Sequence, residues 1–116
     1  MGHSVRFKIA ISAAVGLLAG AFSGAVFAVD GVAAKQLARK ESCLRCHAVN
    51  KKKEGPSYES VAYKYKGQDD AADKLINHIT SGEKVKLSDG HTEDHKIVKT
   101  KDPEQVRNLI AWILSR

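Results

Sequence analysis

Five consecutive residues, Cys43-Leu44-Arg45-Cys46-His47, constrain this chain more than any other feature, because they contain both of its cysteines and place a histidine directly after the second. Read as a helical segment, they put Cys43 and His47 on one face, with Cys46 one turn from Cys43. Two thiols and an imidazole so placed can converge on one flat ring, the thiols bonding its edge and the imidazole a metal at its centre. This is the spacing of c-type haem attachment. A structural disulfide leaves the adjoining histidine unexplained. A thioredoxin-like dithiol expects a strand before the first cysteine, and none is readable there. A zinc site needs two further ligands, and there is no second cysteine pair. The expectation is one covalent haem c bonded to Cys43 and Cys46, with its iron held on one side by His47.

The rest of the chain suits a small domain that needs such support. Its 116 residues are 43% hydrophobic and carry both charge signs, which reads as one globular domain. Arg6 and Lys8 precede an apolar run from Ile9 to Ala28 that ends Val26-Phe27-Ala28. A basic start, an apolar centre and a small residue at the end describe a secretory signal over residues 1–28, cleaved after Ala28, and hence a periplasmic protein. The rival is a retained membrane anchor, since the run approaches spanning length; Gly16, Gly20 and Gly24 interrupt it and favour cleavage. Cleavage would leave residues 29–116, 88 residues, and remove two basic side chains, lowering the formal charge from +6 to +4. A domain that small buries too little surface to be comfortably stable without a disulfide, a metal or a large cofactor.

Four helical stretches are readable. Residues 31–47 are rich in helix formers, with Ala34, Leu37 and Ala38 on one face. The polar segment Lys51-Lys52-Lys53-Glu54-Gly55-Pro56 interrupts. A short helix over about Ser57–Lys66 presents Val61, Ala62 and Tyr65, and Gly67 suits its end. A third, about Asp70–Ser81, presents Leu75, Ile76 and Ile79 before Gly82. The last has Asp102 as cap, Pro103 in its first turn and a capping-box-like Gln105, with Val106, Leu109, Ile110 and Ile113 on its face and Trp112 alongside. Between Gly82 and Asp102 lies a long segment without helical periodicity, in which Val85, Leu87 and Asp89-Gly90 would suit a small hairpin. A connection this long in a small domain is usually functional.

Together these residues resemble the small class I c-type cytochromes of bacteria: a leading helix running into Cys-x-x-Cys-His, then Gly55-Pro56, Val61-Ala62-x-Lys64-Tyr65-x-Gly67, and a closing helix with Trp112-Ile113-Leu114. The resemblance implies an all-α, small cytochrome c fold of about four helices around one covalently bound haem, with the first and last helices packed together. It also implies that the Pro56 carbonyl accepts a hydrogen bond from the His47 ring, a contact that orients a ligand imidazole. Members of this family usually hold the other side of the iron with a methionine shortly before the last helix, and the only methionine here is Met1.

Histidines are the replacements to weigh. His3 would leave with the signal. His78 lies among Leu75, Ile76 and Ile79, where an ordinary half-buried role is expected. His91 follows a turn amid polar residues and reads as exposed. His95 precedes Ile97 and Val98, apolar residues able to carry the stretch against the haem, and is the favoured ligand; His91, then His78, another ligand or a vacant position are the alternatives.

The resulting expectation is a one-electron carrier rather than an enzyme, since nothing suggests paired acid and base groups around a substrate. Its partners would be redox proteins. Arg45, Lys51, Lys52, Lys53, Lys64 and Lys66 read either as a solvated surface or as a basic ring that steers an acidic partner to the haem edge. Nucleic acid is not an expected partner, because the export signal takes the protein away from it. Membrane contact would require a retained N-terminal segment. A gas-binding or sensing role is the alternative if the distal side is open.

Overall fold

The computed structural model describes residues 28–116, together with Gly2, Gly16 and Gly20. The expected export signal over residues 1–28 therefore falls almost wholly outside the described residues. No helix among the described residues is long and apolar enough to cross a membrane.

Asp30 starts the first helix, α1 (Gly31–Lys40), its carboxylate accepting the Ala33 N–H at 2.9 Å. Ala34, Leu37 and Ala38 form its buried stripe, as their spacing requires. The helix ends seven residues before the expected Cys46-His47 limit. Ser42 adopts a left-handed conformation (φ 63°), and Cys43–Arg45 form a separate 3-10 turn. A non-glycine residue in that region costs roughly 1–2 kcal/mol. The reversal is held from outside the helix: the Glu41 carboxylate accepts the backbone N–H groups of Lys99 at 2.7 Å and Thr100 at 3.2 Å. Hydrogen bonds to a charged acceptor contribute about 1.5–3 kcal/mol each when buried; these two are exposed and part-buried and together give about 1–2 kcal/mol, comparable to the strain. The expected relation between Cys43 and His47 survives locally, because the His47 N–H still donates to the Cys43 carbonyl at 3.0 Å.

The other helices follow their local signals. Ser57 caps α2 (Tyr58–Tyr65), accepting the Ser60 N–H at 3.1 Å. α3 (Ala71–Ser81) stops at Gly82, whose φ of 70° is the left-handed end that glycine adopts without strain. Asp102 caps α4 (Pro103–Leu114) by accepting the Glu104 N–H at 2.9 Å. The capping box expected of Gln105 does not form; Thr100 receives the Asp102 N–H at 3.2 Å and donates to Gln105 at 2.8 Å instead. The long connection contains a hairpin of β1 (Lys84–Lys86) and β2 (Thr92–Asp94), antiparallel with Val85 opposite Glu93. This two-stranded ribbon is a small addition to the expected all-α fold.

α4 is the hub, packing against α1, α2 and α3. Leu109 and Ile110 are its most deeply buried side chains. Asn108 fastens the start of α1 to it reciprocally, accepting the Asp30 N–H and donating to the Asp30 carbonyl, both at 2.8 Å. Trp112 is buried and meets the Tyr58 ring edge-on at 5.6 Å. The family resemblance implied this pairing of first and last helices. The helices close on one another around α4 but not on the side facing the Cys43–His47 turn and the long connection, and the site lies there.

Candidate haem site

A cavity of about 600 Å³ opens between the Cys43–His47 turn, α2, α3, α4 and the connection from Gly82 to Asp102. That volume is within the range of cofactor sites, and its walls are mainly apolar, with Leu75, Ile79, Val98, Leu109 and Ile113 among them.

On one wall stand Cys43, Cys46 and His47, brought together by the turn. Neither cysteine is paired in a disulfide and both are half-buried, and burial pushes the Cys43 thiol above its ordinary pKa. Tyr58 lies against this wall, its ring stacked on His47 at 5.4 Å, and burial raises its phenol well above the usual range. The loop after the motif folds back under His47. Gly55 N–H donates to the Cys46 carbonyl at 2.8 Å, Lys53 Nζ donates to the Leu44 carbonyl at 2.6 Å, and Tyr58 N–H donates to the Ala48 carbonyl at 2.9 Å. Position 55 has no room for a side chain: a Cβ there would stand 2.4 Å from His47 Cε1 and 2.8 Å from Nδ1.

His47 Nδ1 lies 2.7 Å from the Pro56 carbonyl, the contact that the resemblance implied. A carbonyl oxygen only accepts, so Nδ1 carries the proton and Nε2 keeps its lone pair for a metal. Burial lowers the pKa of His47, which favours the neutral, ligating form.

Across the cavity is His95, whose Nδ1 lies 2.9 Å from the Lys96 carbonyl and is protonated by the same argument. Burial again lowers its pKa, with the nearby His78 adding to the effect. The His47 and His95 ring centres are 6.3 Å apart, with planes inclined at 48°. A metal–imidazole bond is about 2 Å, and a ring nitrogen stands about 1 Å from its own centre, so two rings sharing one metal are separated by roughly 6 Å. The residues present therefore fit a haem: two thiols to one side, and a neutral imidazole on either face at the separation one iron requires.

Of the other histidines, His91 does not line the cavity. It sits exposed on the hairpin, bonded through Nδ1 to Asp89, whose hydrogen bond raises its pKa. His78 is half-buried as expected, and it also lines the cavity, packs its ring 4.1 Å from that of His95, and bonds through Nδ1 to the Glu83 carboxylate. Its position three residues after Leu75 and one before Ile79 was the available signal. Glu83, which also accepts the His95 N–H on its backbone carbonyl at 2.9 Å, had none. The apolar pair after His95 divides: Val98 is buried and its N–H donates to the Ile79 carbonyl at 3.0 Å, while Ile97 stays half exposed.

The Cytochrome c family profile matches residues 32–116. Cytochrome c-551 of Pseudomonas denitrificans is 30% identical over 81 residues, covering 70% of this chain and 94% of that protein. A shorter match to cytochrome c-552 of Hydrogenobacter thermophilus, 43% identical over 60 residues, covers half of this chain and 61% of that protein. Among solved structures, the class 1 cytochrome MtoD of Sideroxydans lithotrophicus ES-1 superposes with a TM-score of 0.74 at 57% identity, covering 76% of this chain and 97% of that one.

Proposed function

Because the chain belongs to the cytochrome c family, with the one covalently bound haem c and iron that membership brings, we propose that it is a periplasmic one-electron carrier with two histidine ligands. In this reading Cys43 and Cys46 form the thioethers, His47 is the proximal ligand and His95 the distal one. The observation that carries it is the pair of imidazoles, their ring centres 6.3 Å apart, each with Nδ1 bonded to a backbone carbonyl. The haem supplies the redox chemistry, its iron exchanging one electron with a partner. The chain's own residues do the remaining work. The Pro56 and Lys96 carbonyls hold each imidazole in the tautomer that presents Nε2. The apolar walls exclude water, and two fixed ligands limit rearrangement as the charge changes. Imidazole donates to ferric iron better than a thioether does, so the potential lies below that of methionine-ligated members.

Export rests on the basic and apolar pattern of residues 1–28; periplasmic material should begin near Val29. Arg45, Lys51, Lys52, Lys53, Lys64 and Lys66 are all exposed, within or shortly after the Cys43–His47 motif in sequence, and such charges suit an acidic redox partner.

The test is to make His95→Ala and His91→Ala in haem-loaded protein and compare ferric spectra, then ferrous spectra with carbon monoxide. His95→Ala should lose the six-coordinate low-spin spectrum and bind carbon monoxide, while His91→Ala matches the parent. An unchanged His95→Ala spectrum eliminates His95 as ligand. A five-coordinate parent would instead support gas binding.

A further inference from the structure

The distal ligand poses a mechanical problem that its own side chain does not solve. The χ2 torsion of histidine is broad and roughly two-fold, so a rotamer places the ring without fixing its plane. The plane matters, because the mutual orientation of two axial imidazoles sets how the ferric iron's orbitals split. His95 comes from a long connection, and the bond from its Nδ1 goes to the carbonyl of the very next residue, which moves with it. Something outside the connection must stop the ring from turning.

His78 meets that need. It lies on α3 beside Ile79, on the side that forms the cavity wall, and its ring packs at 4.1 Å from the His95 ring, tilted by 45°. Its own plane is in turn fixed, since Nδ1 is bonded to the Glu83 carboxylate just past the helix end. Glu83 also accepts the His95 N–H on its carbonyl at 2.9 Å, and Val98 N–H donates to Ile79 at 3.0 Å. One residue thus anchors both the backbone that carries the ligand and the ring that braces it. A leucine at position 78 could fill the same wall, but it would offer no flat face and no bond to hold it in register.

We propose that His78, held by Glu83, is a positioning residue that sets the plane of the distal imidazole, so that the axial geometry of the haem is fixed by helix α3 through a histidine that does not itself ligate the iron. The inference rests on His95 being the distal ligand.

The test uses full-length, haem-loaded protein and low-temperature paramagnetic resonance of the ferric state. His78→Ala should remain six-coordinate and low-spin, while its largest g value shifts and its lines broaden as the ring samples several planes. His78→Phe restores a flat neighbour without the anchor, and should be sharper than His78→Ala yet still displaced from the parent. Glu83→Ala should move the signal in the same direction as His78→Ala, whereas Glu83→Gln, whose amide oxygen can still accept from His78, should bring it back to the parent position. Parent-like signals in both His78 variants would overturn the proposal while leaving the ligand assignment intact. Loss of low-spin iron in His78→Ala, with His95→Ala unchanged, would make His78 the ligand and overturn both.

Discussion

The two walls of the haem cavity are built by different means. The cysteine wall is local: the motif, the His47 tautomer and the supporting Gly55-Pro56 turn all lie between residues 43 and 58, joined by short-range backbone bonds. The distal wall is assembled across the molecule. His95 is placed by Glu83, Val98 by Ile79, and Lys99 and Thr100 by Glu41, 58 and 59 residues away in sequence. The first wall is held mostly by near neighbours, with only its entry at Ser42 leaning on the Glu41 contacts, whereas the second is made of distant partners and exists only when the whole domain is folded. Changes to the first should therefore act on haem attachment and global stability, and changes to the second on axial geometry and local mobility.

The sharpest way to break this contrast is Cys43→Ala with Cys46→Ala. Protein made with the maturation machinery should then release its haem to acid-acetone, and thermal unfolding should lose its cooperative transition, because the cofactor filling the cavity is no longer retained. Haem that still survives extraction would show that attachment does not run through these thiols.

Gly55→Ala acts on the same wall through space alone. The new Cβ must displace the His47 ring and with it the Pro56 bond, so we expect a loss of roughly 2–3 kcal/mol in denaturant unfolding of the holoprotein, near the upper end for a single substitution. An effect below about 0.5 kcal/mol, the range of ordinary surface changes, would mean that the turn is as adaptable as the distal connection.

Glu41→Ala has the smallest expected effect and is the most selective. It removes two acceptor contacts, for a loss of about 1–2 kcal/mol after allowance for partial exposure. Amide exchange should accelerate at Lys99 and Thr100 and stay as in the parent at Gly55 and Tyr58. Equal acceleration on both sides would erase the distinction between the walls.

The chain's local chemistry settled the Cys43–His47 motif, the ends of three helices and the buried stripe of α4, because each depends on residues within one or two turns of one another. Ser57, Gly82 and Asp102-Pro103 act where they stand, whatever surrounds them. The break at Ser42 was not legible, since residues 31–47 carry good helix formers throughout and the acceptor that holds the reversal bonds to residues 99 and 100. The histidines were legible only in part: the polar surroundings of His91 and the apolar Ile97 and Val98 after His95 pointed to one as exposed and the other as inward, but nothing near His78 or Glu83 showed that they would pack against the ligand ring. Only the tertiary structure brought the His78 ring against that of His95 and Glu83 to both, because that pairing is made by the closure of a long connection against α3, an interaction between segments that no local pattern encodes.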